Sequence, residues 1–164
     1  MESLANTVVE LLKEAHMTVT TVESCTGGLL SSTLVDVPGV SEVLNQAYVT
    51  YASEAKEALV GVRKETLEAY GAVSEQTARE MAEGGAAAAG AQAALSVTGI
   101  AGPEGGTTQK PVGLVYVGCF LEDSTVVEKH IFQGSRRQVR EQSAAAALTL
   151  LKKRLQQKKG TEVG

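Results

Sequence analysis

Aromatic residues are scarce in this sequence, and tryptophan is absent. Only 4% of the 164 residues are aromatic, although 43% are hydrophobic. The core must therefore be built from Ala, Val, Leu and Ile, which favours closely packed helices and buried strands over an aromatic-rich β-sandwich. A chain of this length suits one compact domain, which we expect to span residues 1–164.

Concentrated positive charge and long apolar runs are also missing. The net charge is −4, and the one basic run, at residues 152–159, is typical of a solvated last helical turn that complements the helix dipole. A nucleic-acid surface needs a basic patch, and a membrane span needs about 18 consecutive apolar residues. We therefore predict a cytoplasmic protein with no nucleic-acid or membrane partner.

Potential metal ligands are few. Two cysteines, two histidines and two aspartates occur, and the cysteines, Cys25 and Cys119, have neither a disulfide-framework nor a metal-ligand spacing. We predict no metal site and no cofactor. Neither His16 nor His130 is expected near the site considered below, so a Ser-His pair is disfavoured.

Hydrophobic periodicity predicts helices that alternate with strands. Strands are expected at residues 17–22, 44–51, 93–100, 114–121 and 126–132, and helices at 2–14, 28–35, from 53 onward, 64–70, 74–89 and 135–155. Ser53 and Ser74 are predicted helix caps, Gly71 a left-handed helix terminator, and Ser135 with Gln138 a capping box. This order indicates an α/β layered fold with a largely parallel sheet and a late antiparallel hairpin.

Three unusual segments follow predicted strands, at residues 23–28, 51–56 and 98–106. Ligands of such sheets bind beyond the carboxyl ends of the strands, so these segments are expected to form one crevice. The glycine-dense third segment matches neither the phosphate-binding G-x-x-x-x-G-K-[ST] pattern nor the dinucleotide G-x-G-x-x-G pattern, which disfavours both enzyme classes.

Ser24 and Cys25 are candidate nucleophiles. Both precede Gly27-Gly28 at a predicted helix start, where glycines admit a substrate and free amides stabilise an anion. An ordinary helix cap would use the same residues, and a helix start would also lower the pKa of a Cys25 thiol. Lys56 is the candidate base, because burial and an early helix position lower the pKa of a lysine; an exposed surface lysine is the alternative.

Three further side chains are candidates for substrate contact. Tyr51 could orient Lys56 or shuttle a proton, unless it is simply a half-buried residue at a strand end. Arg136 and Arg140 share one face of the last helix and could bind a phosphate or carboxylate. The alternative for the two arginines is surface ion pairing with Glu141 or Glu128.

Together these segments resemble the CinA C-terminal domain family, which includes nicotinamide mononucleotide deamidases. The stretches that carry the resemblance are TVTTVESCTGGLLSSTL, YVTYASEAKEALVGV, LEAYGAVSEQTAREMA, VTGIAGPEGGTTQKPVGLVYV and FQGSRRQVR. One departure is Gln46-Ala47, where the family usually has a glycine. The family's larger members also carry an N-terminal domain, so the chain is either a stand-alone protein or one domain of a longer chain.

The resemblance implies a three-layer α/β/α sandwich and deamidation of nicotinamide mononucleotide. It implies Ser24 as nucleophile, Lys56 as base and Tyr51 in support. Substrate contacts would come from Cys25, Thr26, Gly27, Gly28, Thr98, Gly99, Ile100, Ala101, Gly102, Arg136 and Arg140. Oxyanion-hole amides could lie at residues 26–28 or at Gly99. A non-catalytic nucleotide-binding or competence-related module is the rival hypothesis, and a homo-oligomer, most simply a dimer, is expected in either case.

Overall fold

A mixed five-stranded sheet organises the chain. The computed structural model describes residues 1–163. Its strands are Val19–Glu23 (β1), Tyr48–Val49 (β2), Ala93–Gly99 (β3), Leu114–Leu121 (β4) and Ser124–Ile131 (β5). They lie in the order β2-β1-β3-β4-β5. Strand β1 is parallel to β2 and β3, and β4 is antiparallel to both β3 and β5. The expected parallel centre and late hairpin are confirmed.

Helices flank this sheet on both faces, which confirms the three-layer α/β/α sandwich. The α-helices within residues 1–163 are Glu2–Ala15 (α1), Leu29–Val35 (α2), Ser53–Val60 (α3), Lys64–Tyr70 (α4), Glu75–Ala89 (α5) and Arg136–Val163 (α6), and a short 3-10 helix covers Val40–Glu42. The main core lies between one face of the sheet and helices α1, α2 and α6. On the other face, α5 packs on β1, β3, β4 and β5, and α3 and α4 pack on α5. None of these helices is both long and apolar enough to cross a membrane.

Paired glycines bring α5 unusually close to the elements that carry the site. A Cβ on Gly84 would overlap the carbonyl oxygen of Val60 at the end of α3, and a Cβ on Gly85 would overlap the side chain of Val22 on β1. Because neither clash exists with glycine, α5 packs directly on the backbone of α3. The position of α3 relative to the sheet is therefore fixed by close packing.

Four predicted elements had wrong boundaries. Strand β1 covers Val19–Glu23 rather than residues 17–22. Strand β2 covers two residues rather than 44–51, because Leu44 forms only an isolated bridge to Val19 and the Gln46 carbonyl accepts a hydrogen bond from the Thr20 hydroxyl. Strand β5 begins at Ser124, since Glu122 adopts a positive φ and makes the turn short. Helix α6 continues past residue 155, where ion pairs Lys158–Glu122 and Lys159–Glu14 hold its last turns.

Two of the three predicted serine caps are confirmed. Ser74 Oγ accepts a hydrogen bond from the Thr77 amide at 3.1 Å. Ser135 and Gln138 form the reciprocal capping box at 2.8 and 3.2 Å. The prediction for Ser53 was wrong, because the N-cap of α3 is Ala52 and Ser53 is already helical. Gly71 has a positive φ of 84° but an extended ψ of 171°, so it is not the predicted left-handed terminator.

Candidate active site

Ser24 and Lys56 meet at the carboxyl end of the parallel strands. Ser24 follows β1 directly, and Lys56 lies in α3, shortly after β2. Lys56 Nζ is 3.0 Å from Ser24 Oγ, and the two residues are 1% and 8% exposed. The hydroxyl and the amine therefore form a direct hydrogen bond away from bulk water. This separation permits transfer of a proton from one to the other.

Burial shifts the protonation equilibrium of Lys56 towards the neutral amine. Its Nζ donates to the carbonyl of Thr50 at 2.7 Å and lies 3.5 Å from the carbonyl of Tyr51. Burial lowers the pKa of Lys56 from 10.5 to about 8, and the Cys25 thiol opposes this shift to a smaller extent. A neutral amine has two N–H groups for the two carbonyls and one lone pair for the Ser24 hydroxyl. Burial is thus the main cause of the lowered pKa that the sequence led us to expect.

Sequence reasoning did not single out Glu23, which the structure places at the centre of the turn. Its carboxylate is fully buried and accepts the backbone amides of Gly28, Leu30 and Ser31 at 3.2, 2.8 and 2.9 Å. The signal for it was a charged residue that ends an otherwise buried strand just before a helix start. Since Glu23 already occupies the N-terminus of α2, a second anion is not bound there.

Two of the backbone amides predicted to form an oxyanion hole are already hydrogen-bonded. The amide of Gly28 donates to Glu23, and the amide of Gly27 donates to the Ser24 carbonyl at 3.0 Å, so the expectation that both amides are free was wrong. The Thr26 amide donates no hydrogen bond within the described residues. Gly99 lies in β3, where a Cβ would overlap the side chain of Val115, and its lack of a side chain therefore serves sheet packing.

Cys25 is buried and unsuited to act as a thiolate. The residue is 6% exposed, and burial raises the pKa of its thiol from 9.0 to about 11 despite the nearby Arg140. The expectation that the helix start would lower this pKa was wrong, because desolvation outweighs the nearby positive charge. The raised pKa of the thiol, together with the 3.0 Å contact between Lys56 Nζ and Ser24 Oγ, therefore favours Ser24 over Cys25 as the nucleophile.

The two arginines of α6 hold the segments around the site together. Arg140 donates to the carbonyls of Cys25 and Thr26 at 3.0 and 2.8 Å. Arg136 donates to the Gly102 carbonyl at 2.8 Å and to the Tyr51 hydroxyl at 3.0 Å. Hydrogen bonds from the two arginines thus tie the three predicted segments together. The alternative of surface ion pairs was wrong for these arginines, since Glu141 pairs with Arg137 and Glu128 with His130.

Two predicted site residues point elsewhere than expected. Tyr51 presents its backbone carbonyl to Lys56, but its hydroxyl contacts Arg136, so the side chain does not orient the lysine. The Thr98 hydroxyl donates to the carbonyl of Ala72 at 2.7 Å and is 1% exposed, which makes it a structural link. Ile100 exchanges backbone hydrogen bonds with Leu114 and Gly113, while Ala101 and Gly102 are buried in the loop.

Comparisons of sequence and of structure both match this chain to the same family of proteins. The family model of the CinA C-terminal domain matches residues 1–155. A CinA-like protein of Kosmotoga olearia is 49% identical over 154 residues, and a putative competence-damage inducible protein of Clostridium perfringens is 50% identical over 154 residues. Each alignment covers 94% of this chain but 37% of the relative, so the chain spans little more than a third of their length.

Solved structures match over nearly the full chain. The competence/damage inducible protein CihA of Agrobacterium tumefaciens has a TM-score of 0.89 at 38% identity, covering 92% of both chains. A competence-damaged protein (CinA) superfamily protein of Klebsiella pneumoniae has a TM-score of 0.92 at 33% identity, covering 95% of this chain and 98% of that one. The fold of the described residues is therefore the fold of these proteins.

Proposed function

The chain belongs to the CinA C-terminal domain family, and we propose that it deamidates nicotinamide mononucleotide to nicotinic acid mononucleotide and ammonia. The observation that carries this proposal is the 3.0 Å hydrogen bond between Ser24 Oγ and the buried Nζ of Lys56. A serine beside a lysine whose pKa is lowered to about 8 is equipped for acyl transfer near neutral pH. The substrate follows from the resemblance to the family's nicotinamide mononucleotide deamidases.

The proposed chemistry proceeds through an acyl-enzyme. Neutral Lys56 takes the proton of the Ser24 hydroxyl while Oγ forms a bond to the carboxamide carbon. The tetrahedral oxyanion then collapses, the C–N bond breaks, and Lys56 returns the proton to the leaving ammonia. Water then attacks the ester carbon and gives one proton to Lys56. The bond between that carbon and Ser24 Oγ breaks, Lys56 returns the proton to Oγ, and the carboxylic acid loses its remaining proton to solvent. The amides of Cys25 and Thr26 donate no backbone hydrogen bond within the described residues, so these two donors of the turn remain for the oxyanion.

The activity is tested with the purified chain and no added metal. We expect incubation with nicotinamide mononucleotide to release ammonia and nicotinic acid mononucleotide in equal amounts, measured by an enzyme-coupled ammonia assay and by liquid chromatography. Binding of the nucleotide by calorimetry without any ammonia would instead support a binding module. The names of the relatives, which refer to competence and damage, are compatible with that second function.

Arg136 is proposed to bind the phosphate of the substrate. Arg136→Gln should raise the KM for nicotinamide mononucleotide by about 10- to 100-fold, since hydrogen bonds to charged groups contribute about 1.5–3 kcal/mol. The KM for nicotinamide riboside, which lacks the phosphate, should change by less than about threefold. Initial-rate kinetics on both substrates provide the measurement.

The adjacent Arg137 supplies the matched control, because its hydrogen bond goes to Glu141 at 2.7 Å and not to the segments around Ser24. Arg137→Gln should leave both KM values at those of the parent. Equal losses on the two substrates in Arg136→Gln would contradict a phosphate site. They would show that Arg136 acts only by holding Gly102 and Tyr51.

We also propose a cytoplasmic homodimer. Both cysteines are free thiols, as is usual in a reducing compartment.

Strand β5 forms one edge of the sheet and carries the exposed side chains of Val126 and Ile131, which are 41% and 54% exposed. Exposed edges of this kind are commonly covered by a second chain. Light scattering at micromolar concentration should give twice the chain mass of 17.1 kDa, and a monomeric mass would refute self-association.

A further inference from the structure

Glu23 is a buried carboxylate next to the proposed nucleophile that the chemistry above does not use. It is fully buried, and no cationic side chain within the described residues pairs with it. A buried charge is costly unless several hydrogen bonds compensate it. Here the three amides of Gly28, Leu30 and Ser31 perform that task, so the carboxylate is held in one position.

These contacts differ from an ordinary helix cap. The N-cap residue of α2 is Gly28, which has no side chain to accept the first amides of the helix. The acceptor comes instead from the last residue of β1 and reaches across the turn formed by residues 24–27. Because both ends of that turn are tied to Glu23, the carboxylate fixes its length and shape. Ser24 is the first residue of the turn.

The backbone of Glu23 is linked to the other member of the pair. Its carbonyl accepts the Thr50 amide at 2.7 Å, and the carbonyl of Thr50 in turn accepts Lys56 Nζ at 2.7 Å. Movement at Glu23 would therefore displace both the turn that carries Ser24 and the carbonyl that holds Lys56.

We propose that Glu23 is a positioning residue that holds Ser24 Oγ within reach of Lys56 Nζ. This inference rests on the proposed Ser24–Lys56 hydrolase. Glu23 acts through the three amides of α2 and through Thr50, and it touches neither the substrate nor the reacting atoms. Its role is geometric, since misplacement of a reacting group by about 1 Å costs roughly 100-fold in rate.

Glu23→Gln tests the inference with little change in shape. One carboxylate oxygen becomes an NH2 group that meets a backbone N–H donor, so at least one of the three contacts is lost. We expect kcat to fall by about 30- to 100-fold with KM within about threefold of the parent. The apparent pKa of the pH–rate profile should stay unchanged, because Lys56 remains as buried as in the parent.

Glu80→Gln is the matched control. Glu80 also accepts a backbone amide, from Arg63 at 2.9 Å, as well as the Thr66 hydroxyl, but it serves the start of α4. The substitution should lower thermal stability and leave kcat unchanged. Circular dichroism shows whether Glu23→Gln is folded, and active-site titration gives the enzyme concentration from which kcat is calculated. If the folded variant keeps the kcat of the parent, the positioning role is refuted.

Glu23→Asp, which keeps the charge but shortens the reach, replaces the glutamine variant if that variant does not fold. It should show the same selective loss of kcat, and failure of both variants to fold would also overturn the inference. The rate at which diisopropyl fluorophosphate labels Ser24, followed by intact mass, gives a readout independent of substrate. Parental labelling without ammonia release would refute the proposed substrate and still permit the Glu23 comparison, in which labelling should slow by a similar factor. If the folded parent shows neither labelling of Ser24 nor release of ammonia, both the proposed hydrolase activity and the inference about Glu23 are refuted.

Discussion

Replacing Ser24 with alanine is expected to reduce ammonia release from nicotinamide mononucleotide by at least about 10⁴-fold. The hydroxyl is the only oxygen nucleophile within hydrogen-bonding distance of Lys56 Nζ in the described residues, so alanine leaves the base without a partner. Loss of a nucleophile that acts as a unit with its base removes nearly all catalysis of the chemical step. Steady-state ammonia assays at saturating substrate provide the measurement.

Cys25→Ala is the matched control from the adjacent position. Its thiol is buried, and burial raises its pKa to about 11, so little thiolate forms near neutral pH. We expect kcat within about fivefold of the parent, with any loss due to the small cavity left behind. Activity in Ser24→Ala together with inactivity in Cys25→Ala would identify the thiol as the nucleophile.

Lys56→Met should lower kcat by about 10²- to 10⁴-fold, the usual contribution of a general base. Methionine has nearly the same length as lysine but no lone pair or proton to exchange with Ser24. The same substitution is expected to stabilise the folded protein at pH 7. Lys64→Met, at an exposed position at the start of α4, is the control and should change neither quantity appreciably.

The stability effect of Lys56 has a definite sign. Its folded pKa, about 8, lies below the ordinary value of 10.5, so the folded state binds the proton less tightly than the unfolded state. Below pH 8 the lysine is charged in both states, and its burial costs the folded state on the order of 3 kcal/mol. Between pH 8 and 10.5 only the unfolded state keeps the proton, so this cost disappears as the pH rises.

The difference in unfolding free energy between Lys56→Met and the parent isolates this effect, since other groups titrate alike in both. Chemical denaturation at several pH values should show the variant more stable at pH 7, with the advantage shrinking between pH 8 and 10.5. An advantage that grows with pH would contradict a lowered pKa. The lost hydrogen bond to the Thr50 carbonyl reduces this advantage.

The order of elements could be predicted from the sequence because the buried strands and capped helices are locally encoded. Strand β4 matches its predicted bounds, and the serine caps at Ser74 and Ser135 depend on residues only three positions apart. The bounds of strand β2 could not be predicted, since the chain before its start is held by the contact between the Gln46 carbonyl and the Thr20 hydroxyl. Such contacts join distant parts of the chain and leave no periodic signal.

The site shows the same division. The Ser24–Lys56 pair was expected from the segments that follow β1 and β2, since the carboxyl ends of parallel strands meet at one edge of the sheet. Glu23 was missed because a buried carboxylate is recognised only from the three amides that surround it. The prediction that the pKa of Cys25 is lowered was wrong, because the sequence reveals the helix start but not the degree of burial.

The pH dependence of kcat/KM for nicotinamide mononucleotide tests most directly whether a buried neutral lysine activates the serine. We expect kcat/KM of the parent to rise with pH between 6.5 and 9.5 with an apparent pKa of about 8, the value to which burial lowers the pKa of Lys56. The rise should be absent from the residual activity of Lys56→Met. A profile that is flat over this range, or a rise that persists in Lys56→Met, would contradict Lys56 as the base.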